Sequence, residues 1–261
     1  MKEQSLYHIL WPGGNTTALV TKKFPRNKHV KIAKQILNKH ENVEQVGFLE
    51  KPKNSKADIH LQMMGGEFCG NAARAAAFLE AMKNNKKSFK LEVSGFPEIL
   101  DATIIGSRVA LTLPGSFFIK MENKKEQSQE IQIVDLMGIR FILKKFIKQN
   151  AISEAKKLIK KYKNECPAVG VIYLSKKGNK IVIDPVVCVK KTDTCYNETA
   201  CGSGSIAAAI AEFKLDPTKK SFSVIQPSKV IYAVTIIGNK NKINKIKFQG
   251  PVKHLGLCTE V

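Results

Sequence analysis

At 261 residues, with 43% hydrophobic and 25% charged residues, the chain is long enough to bury a substantial core and too apolar to be disordered. It contains no apolar run near the roughly 18 residues a membrane span needs, and Met1-Lys-Glu-Gln-Ser lacks the apolar core of a signal peptide, so a cytoplasmic protein without a membrane partner is expected. The formal net charge of +21 comes from Lys scattered among Asn with only four Arg and no interleaved aromatics, which reads as a solvated surface and not as a specific nucleic-acid site.

In chain order, Tyr7 to Leu10 and Ala18 to Val20 predict a hairpin around Trp11-Pro-Gly-Gly-Asn15, where Pro-Gly-Gly forces a turn. Val30 to His40 carries Ile32, Ala33, Ile36 and Leu37 at helical spacing. Val46 to Leu49 and Ile59 to Met63 read as strands, and Gly65-Gly66 leads into an Ala-rich helix from Gly70 to Lys83. Asn84-Asn85 suits its C-terminus. Lys90 to Val93, Ala102 to Ile105 and Val109 to Leu113 follow as strands. Lys120 to Glu130 reads as a charged loop. Ile131 to Phe146 supplies strands, and Ala151 to Tyr162 is a second helix with one apolar face. Val169 to Ile172, Ile181 to Ile183 and Val186 to Val189 are strands, and polar Lys190 to Glu198 leads into an Ala-rich helix beginning at Cys201. Val224, Tyr232 to Ile237 and Ile243 to Phe248 close the chain as strands, and Gly250-Pro251 turns the tail back.

The second half repeats the first. At an offset of 132 residues Cys201 overlies Cys69, Gly202 overlies Gly70, Ser203 overlies Asn71, Ala207-Ala208-Ala209 overlies Ala75-Ala76-Ala77, and Val234 to Gly238 overlies Ala102 to Gly106. The predicted fold is α+β: two pseudosymmetric lobes, each a mostly antiparallel sheet wrapped around a central helix that is apolar all round. The lobes are expected at residues 1–114 and 115–251, with the tail 252–261 returning to the first. The six cysteines form no dense disulfide framework, and each one taken alone reads as a small buried apolar residue. Neither they nor the dispersed His have zinc spacing, so no metal is expected.

Cys69 and Cys201 stand apart because each begins a helix. A helix start offers unpaired backbone N–H groups and the positive end of the macrodipole, which bind anions and stabilise a thiolate. Two such starts facing one another could hold a carboxylate, with one sulfur on each side of the adjacent carbon. One thiolate then removes the α-proton and the other thiol delivers a proton to the opposite face. An α-proton is a far weaker acid than a thiol, so stabilising the developing enediolate is the main task. No pyridoxal phosphate or other cofactor is required. A redox dithiol, a cysteine hydrolase, two buried structural cysteines and a duplicated amino-acid-binding module without turnover are the competing readings.

Cys69-Gly-Asn-Ala-Ala-Arg74 and Glu198-Thr-Ala-Cys-Gly-Ser-Gly204 resemble the two signatures of the diaminopimelate epimerase superfamily of cofactor-independent racemases and epimerases. Gly14-Asn15, Glu44-Gln45 and Gly250-Pro251 also fall where that superfamily has matching residues. The resemblance implies its two-lobed fold, a catalytic Cys69/Cys201 pair, an amino-acid substrate and a homodimer. It also implies substrate contacts from Asn15 and Gln45, and the expected substrate-binding set is completed by Glu44, Gly70, Asn71, Glu198, Gly202 and Ser203. Thr192-Asp193 stands where diaminopimelate epimerases have a Glu-Arg pair, and Gly138-Ile-Arg-Phe141 replaces their Gly-Asn-Pro-His. Pro12 to Thr17, Glu44 to Phe48, Glu67 to Ala72 and Gln226-Pro227 have the form of the histidine racemase branch, which supplies D-histidine for staphylopine-type metallophores. Histidine is therefore the expected substrate. Under that expectation Glu44 accepts a hydrogen bond from the imidazole. Diaminopimelate, or a diamino acid recognised by Arg140, is the alternative.

Overall fold

The structure, a computed structural model, describes residues 6–126, 129–145, 151–162, 166–190 and 194–260. The chain divides into two compact units, Met1–Leu111 with Gln249–Val261, and Thr112–Phe248.

The first unit runs β1 (Tyr7–Trp11), β2 (Thr17–Val20), α1 (Arg26–Lys39), β3 (Gln45–Glu50), β4 (Ile59–Met63), α2 (Gly70–Asn84), β5 (Ser88–Val93) and β6 (Phe96–Ile105). The strand β7 (Arg108–Pro114) leads out of it into the second unit. The hairpin β1–β2 is antiparallel, β2–β3 parallel, β3–β4 antiparallel, β4–β5 parallel and β5–β6 antiparallel. Parallel pairs occur where a helix makes the connection, because a parallel neighbour needs a long crossover.

The second unit follows with β8 (Phe118–Glu126), β9 (Gln129–Leu136), β10 (Ile139–Lys145), α3 (Ala151–Tyr162), β11 (Ala168–Lys177), β12 (Lys180–Val189), β13 (Thr194–Asn197), α4 (Gly202–Leu215), β14 (Ser221–Ile225) and β15 (Ile231–Gly238). Here β9–β10 is antiparallel, β10–β11 parallel, β11–β12 antiparallel, β12–β14 parallel and β14–β15 antiparallel. This succession is the same as in the first unit. After β16 (Ile243–Pro251) the tail forms β17 (Lys253–Cys258), antiparallel to β1. Among the described residues the architecture is thus α+β, with mixed sheet, four α-helices and a short 3-10 helix at Gly115–Phe117.

Ala and Gly make α2 and α4 thin enough to be enclosed. In α2 every residue from Gly70 to Ala77, and Leu79, is buried against strands β2 to β6. In α4 burial runs from Gly202 to Ala211 and includes Phe213, with β9 to β12, β14 and β15 around it. By contrast α1 and α3 bury one side only: His29, Ile32, Ala33 and Ile36 of α1 join a core with Val46 and Phe48, and Ala155, Ile159 and Tyr162 of α3 join one with Val171 and Tyr173. Among the described residues no helix is long and apolar enough to cross a membrane.

Four expectations change. The helix placed at Val30 to His40 starts at Arg26, because Pro25 presets the backbone at its N-cap and the polar first turn has no apolar period to reveal it. The charged stretch Lys120 to Glu130 is a strand pair, β8–β9, whose register runs from Phe118↔Leu136 to Glu126↔Gln129, with residues 127 and 128 outside the described set. One long strand, β12, passes through Pro185 where two short strands were expected. Finally, Cys188 and Cys195, expected as buried apolar residues, lie opposite one another on β12 and β13 and are joined as a disulfide.

A bidentate pair ties α1 to β3: Arg26 donates from Nε to Glu50 Oε1 at 3.1 Å and from Nη2 to Oε2 at 2.6 Å. Burial by itself would push the Glu50 carboxyl up, but Arg26, with His60 and His29 nearby, brings it below its ordinary value. A depressed folded-state value means the pair's contribution is present above the unfolded carboxyl's value of about 4.3 and is lost as pH falls below it. The gap in thermal midpoint between the wild type and Glu50→Gln is therefore expected at pH 7 and should close below about pH 4.

Candidate active site

The first unit gathers its site residues around the start of α2. Cys69 is the N-cap, with φ −133° and ψ 108°, and its sulfur accepts the Ala72 N–H at 3.3 Å. Cys in that place is unusual, since Ser, Thr, Asp and Asn are the preferred caps. The half-buried thiol donates to Gln45 Oε1 at 2.7 Å. A carboxamide suits a group that must exist both as thiol and as thiolate, because its oxygen accepts from S–H and, after a flip, its nitrogen donates to S⁻.

Gln45 opens β3 beside the turn that carries Asn15. The N–H groups of Glu44 and Gln45 donate to Thr16 O at 2.9 and 3.3 Å, and Thr17 Oγ1 donates to Asn15 O at 3.0 Å. Asn15 is buried with φ +53°, a left-handed conformation that Asn tolerates because its short side chain can bond locally. Arg74, fully buried one turn into α2, donates to Pro12 O at 2.7 Å, Pro251 O at 3.1 Å and Asn71 Oδ1 at 2.9 Å. One guanidinium thereby joins the Asn15 turn, the start of α2 and the end of β16. The first unit thus brings together Cys69, Gly70, Asn71, Gln45, Glu44 and Asn15.

The second unit repeats the cap. Cys201 has φ −127° and ψ 110°, and its sulfur accepts the Gly204 N–H at 3.3 Å. A Cβ on Gly204 would stand 3.0 Å from that sulfur and 2.7 Å from Ile172 Cδ1, so a side chain there would have to displace Ile172 or the thiol. The surroundings differ from those of Cys69. Cys201 is buried, with Ser203 Oγ 3.8 Å from its sulfur and the Glu198 carboxyl hydrogen-bonded to it. Burial first, and then the charge and hydrogen bond of Glu198, push the Cys201 thiol well above its ordinary value, against smaller opposing effects of the Gly204 N–H and Ser203. Cys201 therefore rests as a thiol.

The second unit brings together Cys201, Gly202, Ser203 and Glu198. The N–H groups of Gly202 and Ser203 meet no acceptor among the described residues. Thr192 and Asp193 lie outside those residues. Arg140 pairs with Asp135 at 2.6 Å, which commits its guanidinium within the β9–β10 hairpin. Among the described residues no group of three or more His, Cys, Asp or Glu could hold a metal ion. Arg74, Ser205 and Gln226 were missed as site residues. Each makes at least one hydrogen bond to a distant segment, Arg74 to Pro12 O and Pro251 O and Gln226 to Cys201 and Ser205, which no local spacing announces.

A family model described as the histidine racemase CntK N-terminal domain matches residues 7–256. The chain belongs to that family. It is accordingly an isomerase of the racemase type. A histidine racemase of Fusobacterium nucleatum is 30% identical over 234 residues, covering 83% of this chain and 84% of the relative. A histidine racemase of Staphylococcus aureus is 24% identical over 254 residues, 93% and 90% of the two chains. Among solved structures, a probable proline racemase of Agrobacterium radiobacter K84 with bound carbonate superposes with a TM-score of 0.68 at 14% identity, covering 98% of this chain and 92% of that one. A phenazine biosynthesis protein of the PhzF family from Enterococcus faecalis gives 0.65 at 17% identity, covering 97% and 98%. At these identities the structural likeness concerns the fold alone.

Proposed function

We propose that the protein is a histidine racemase that interconverts L- and D-histidine with two thiol bases, Cys69 and Cys201, and without pyridoxal phosphate. The observation that carries this reading is the recurrence of one unusual cap: two cysteines, each accepting the N–H three residues on, at the starts of the two enclosed helices. The equal pairing succession of the two units supports a pseudosymmetric pair of lobes, 1–114 and 115–251 with the tail 252–261 on the first, each wrapped around its central helix and each carrying one of the two thiols.

In the proposed reaction the thiolate of one cysteine takes the α-proton, and the electron pair moves into the carboxylate to give an enediolate. The thiol of the other cysteine then delivers its proton to the opposite face and is left as the thiolate. The reverse direction exchanges the roles, so no proton is gained or lost over a cycle. The N–H groups at the starts of the two cysteine-capped helices, those of Gly202 and Ser203 among them, are suited to the carboxylate as its charge grows. Cys201, resting as a thiol beside Glu198, begins as the acid, and Cys69 with its reversible Gln45 partner begins as the base. Asn15, Glu44, Gln45 and Glu198 hold the rest of the substrate.

The family membership and the histidine racemases among the relatives support histidine over diaminopimelate, and the pairing of Arg140 with Asp135 supports the same preference. The reading includes a cytoplasmic location, a homodimer, and D-histidine as a building block for a metallophore. No specific nucleic-acid partner is part of it.

Incubation of L-histidine in heavy water tests the proposal. Deuterium at Cα together with D-histidine on chiral chromatography is expected, with diaminopimelate and other polar amino acids turned over more slowly. Binding without deuterium incorporation would instead indicate the non-catalytic module. Glu44→Gln is expected to raise KM for histidine about tenfold with little change in kcat, the loss of one charge-assisted hydrogen bond. Unchanged KM would remove Glu44 from the imidazole site.

A further inference from the structure

We propose that Gln226, acting with Ser205, is a positioning residue for Cys201: it occupies the thiol residue's own backbone N–H and fixes the direction in which the sulfur points. The inference rests on the reading of Cys201 as one of the two bases and names what holds that base in place.

Gln226 is buried in the turn after β14. Its Oε1 accepts the Cys201 N–H at 2.9 Å, its Nε2 donates to Ser205 Oγ at 2.9 Å and to Val224 O at 3.3 Å, and the Ser205 hydroxyl donates to Cys201 O at 2.6 Å. The three bonds that join Gln226, Ser205 and Cys201 close a ring around the cysteine's main chain. Ring closure also fixes the amide orientation, because a flipped amide would set its NH₂ against the Cys201 N–H.

The turn itself is held. Gln226 N–H donates to Val230 O at 2.9 Å, Lys229 N–H donates back to Gln226 O at 2.9 Å with Lys229 at φ +67°, and Ser228 N–H donates to Thr199 O at 2.9 Å. The segment Thr199–Cys201 is therefore gripped at two backbone points by one turn. Such fully satisfied buried networks fix a single arrangement.

Two consequences follow for the chemistry. With the Cys201 N–H engaged by Gln226, Gly204 N–H by the sulfur and Ser205 N–H by Cys201 O, only the Gly202 and Ser203 amides of this helix start remain for a carboxylate. The clamp is also one-sided. At the offset of 132 residues the position of Gln226 is held in the first unit by Ser94, whose hydroxyl takes the Met63 N–H at 2.9 Å and donates to Glu67 O at 2.9 Å. Ser94 thus braces the approach to Cys69 two residues before the thiol, and the Cys69 sulfur is held by Gln45 instead.

A one-sided clamp predicts a one-sided defect. Racemisation and α-proton exchange are measured in heavy water for Gln226→Leu and Ser205→Ala, starting separately from L- and D-histidine, together with the thermal midpoint. In Gln226→Leu, inversion in both directions is expected to fall about 100-fold, the effect of misplacing one reacting group by about 1 Å. Exchange should fall equally from the enantiomer that Cys201 deprotonates and stay within about threefold from the one that Cys69 deprotonates. Ser205→Ala, which keeps the Gln226 bond to Cys201 N–H, should show the same asymmetry at about a tenfold loss. Equal losses from both enantiomers, losses that track only a lowered midpoint, or full activity in Gln226→Leu would overturn the clamp. A Cys201→Ser variant that still inverts histidine would instead remove the two-thiol reading beneath it.

Discussion

Cys69→Ser and Cys201→Ser are each expected to lower kcat/KM for histidine inversion by roughly 10³-fold or more, at the upper end of what a positioned acid or base supplies. Serine keeps the size and the cap, since its oxygen accepts the same N–H, so the folded state should be preserved while the proton-transferring group is lost. The two variants are not expected to behave alike. Cys201 is enclosed and faces the Glu198 carboxyl, which favours its protonated form; Cys69 is half-buried and faces an amide that can serve either form. In Cys201→Ser the remaining thiol should still exchange the α-proton of one enantiomer with solvent, and in Cys69→Ser the remaining thiol should act only on the other. Chiral chromatography alongside deuterium incorporation separates the two half-reactions. Near-native inversion by either variant would remove that cysteine from the chemistry.

The same contrast has a pH signature. Because burial and Glu198 raise the Cys201 thiol, the fraction of Cys201 thiolate grows with pH well past the range of an ordinary thiol. In a background with Cys69, Cys166 and Cys258 replaced by Ser, which leaves Cys201 as the one free thiol, Glu198→Gln should move the ultraviolet titration of the Cys201 thiolate to lower pH, since the largest charged contribution to the shift is removed while burial stays. A titration that does not move would leave burial as the sole cause.

Much of this arrangement was legible in the sequence for a physical reason. A helix enclosed by strands must be made of small residues, and a cap must sit at its first turn, so Cys69-Gly-Asn-Ala and Cys201-Gly-Ser-Gly could be located and aligned by composition alone. The strands β3, β4 and β11 were equally visible because their apolar residues face a core. What escaped was what depends on distant partners. The stretch Lys120 to Glu126 carries its charges on an exposed strand, and its pairing to β9 is fixed by Ile131, Ile133 and Val134 across the ladder. The disulfide needed the β12–β13 register, which puts residues seven apart opposite one another. Gln226 showed no role of its own because its partner, the Cys201 N–H, lies 25 residues away in sequence.

Arg74 is the position where a single change should cost most stability. Its side chain is fully buried and donates to two carbonyls, Pro12 O and Pro251 O, and to the Asn71 side chain. Arg74→Met fills a similar volume but leaves those acceptors facing an apolar group, and hydrogen bonds to a charged donor are each worth on the order of 1.5–3 kcal/mol. A loss of about 3 kcal/mol or more in denaturant unfolding is therefore expected. Arg74→Lys should recover only a minor part, because a single ammonium cannot present the guanidinium's fork to acceptors on three segments. The damage should also reach the substrate site: Pro12 begins the turn that carries Asn15, and Asn71 is the second residue of the helix capped by Cys69, so any folded Arg74→Lys protein should show a raised KM as well as a lower midpoint. If Arg74→Lys matched the wild type in both measurements, the three bonds would be incidental to the turn's position, and the placement of Asn15 would have to come from contacts other than those of Arg74, such as the Glu44 and Gln45 amides on Thr16 O.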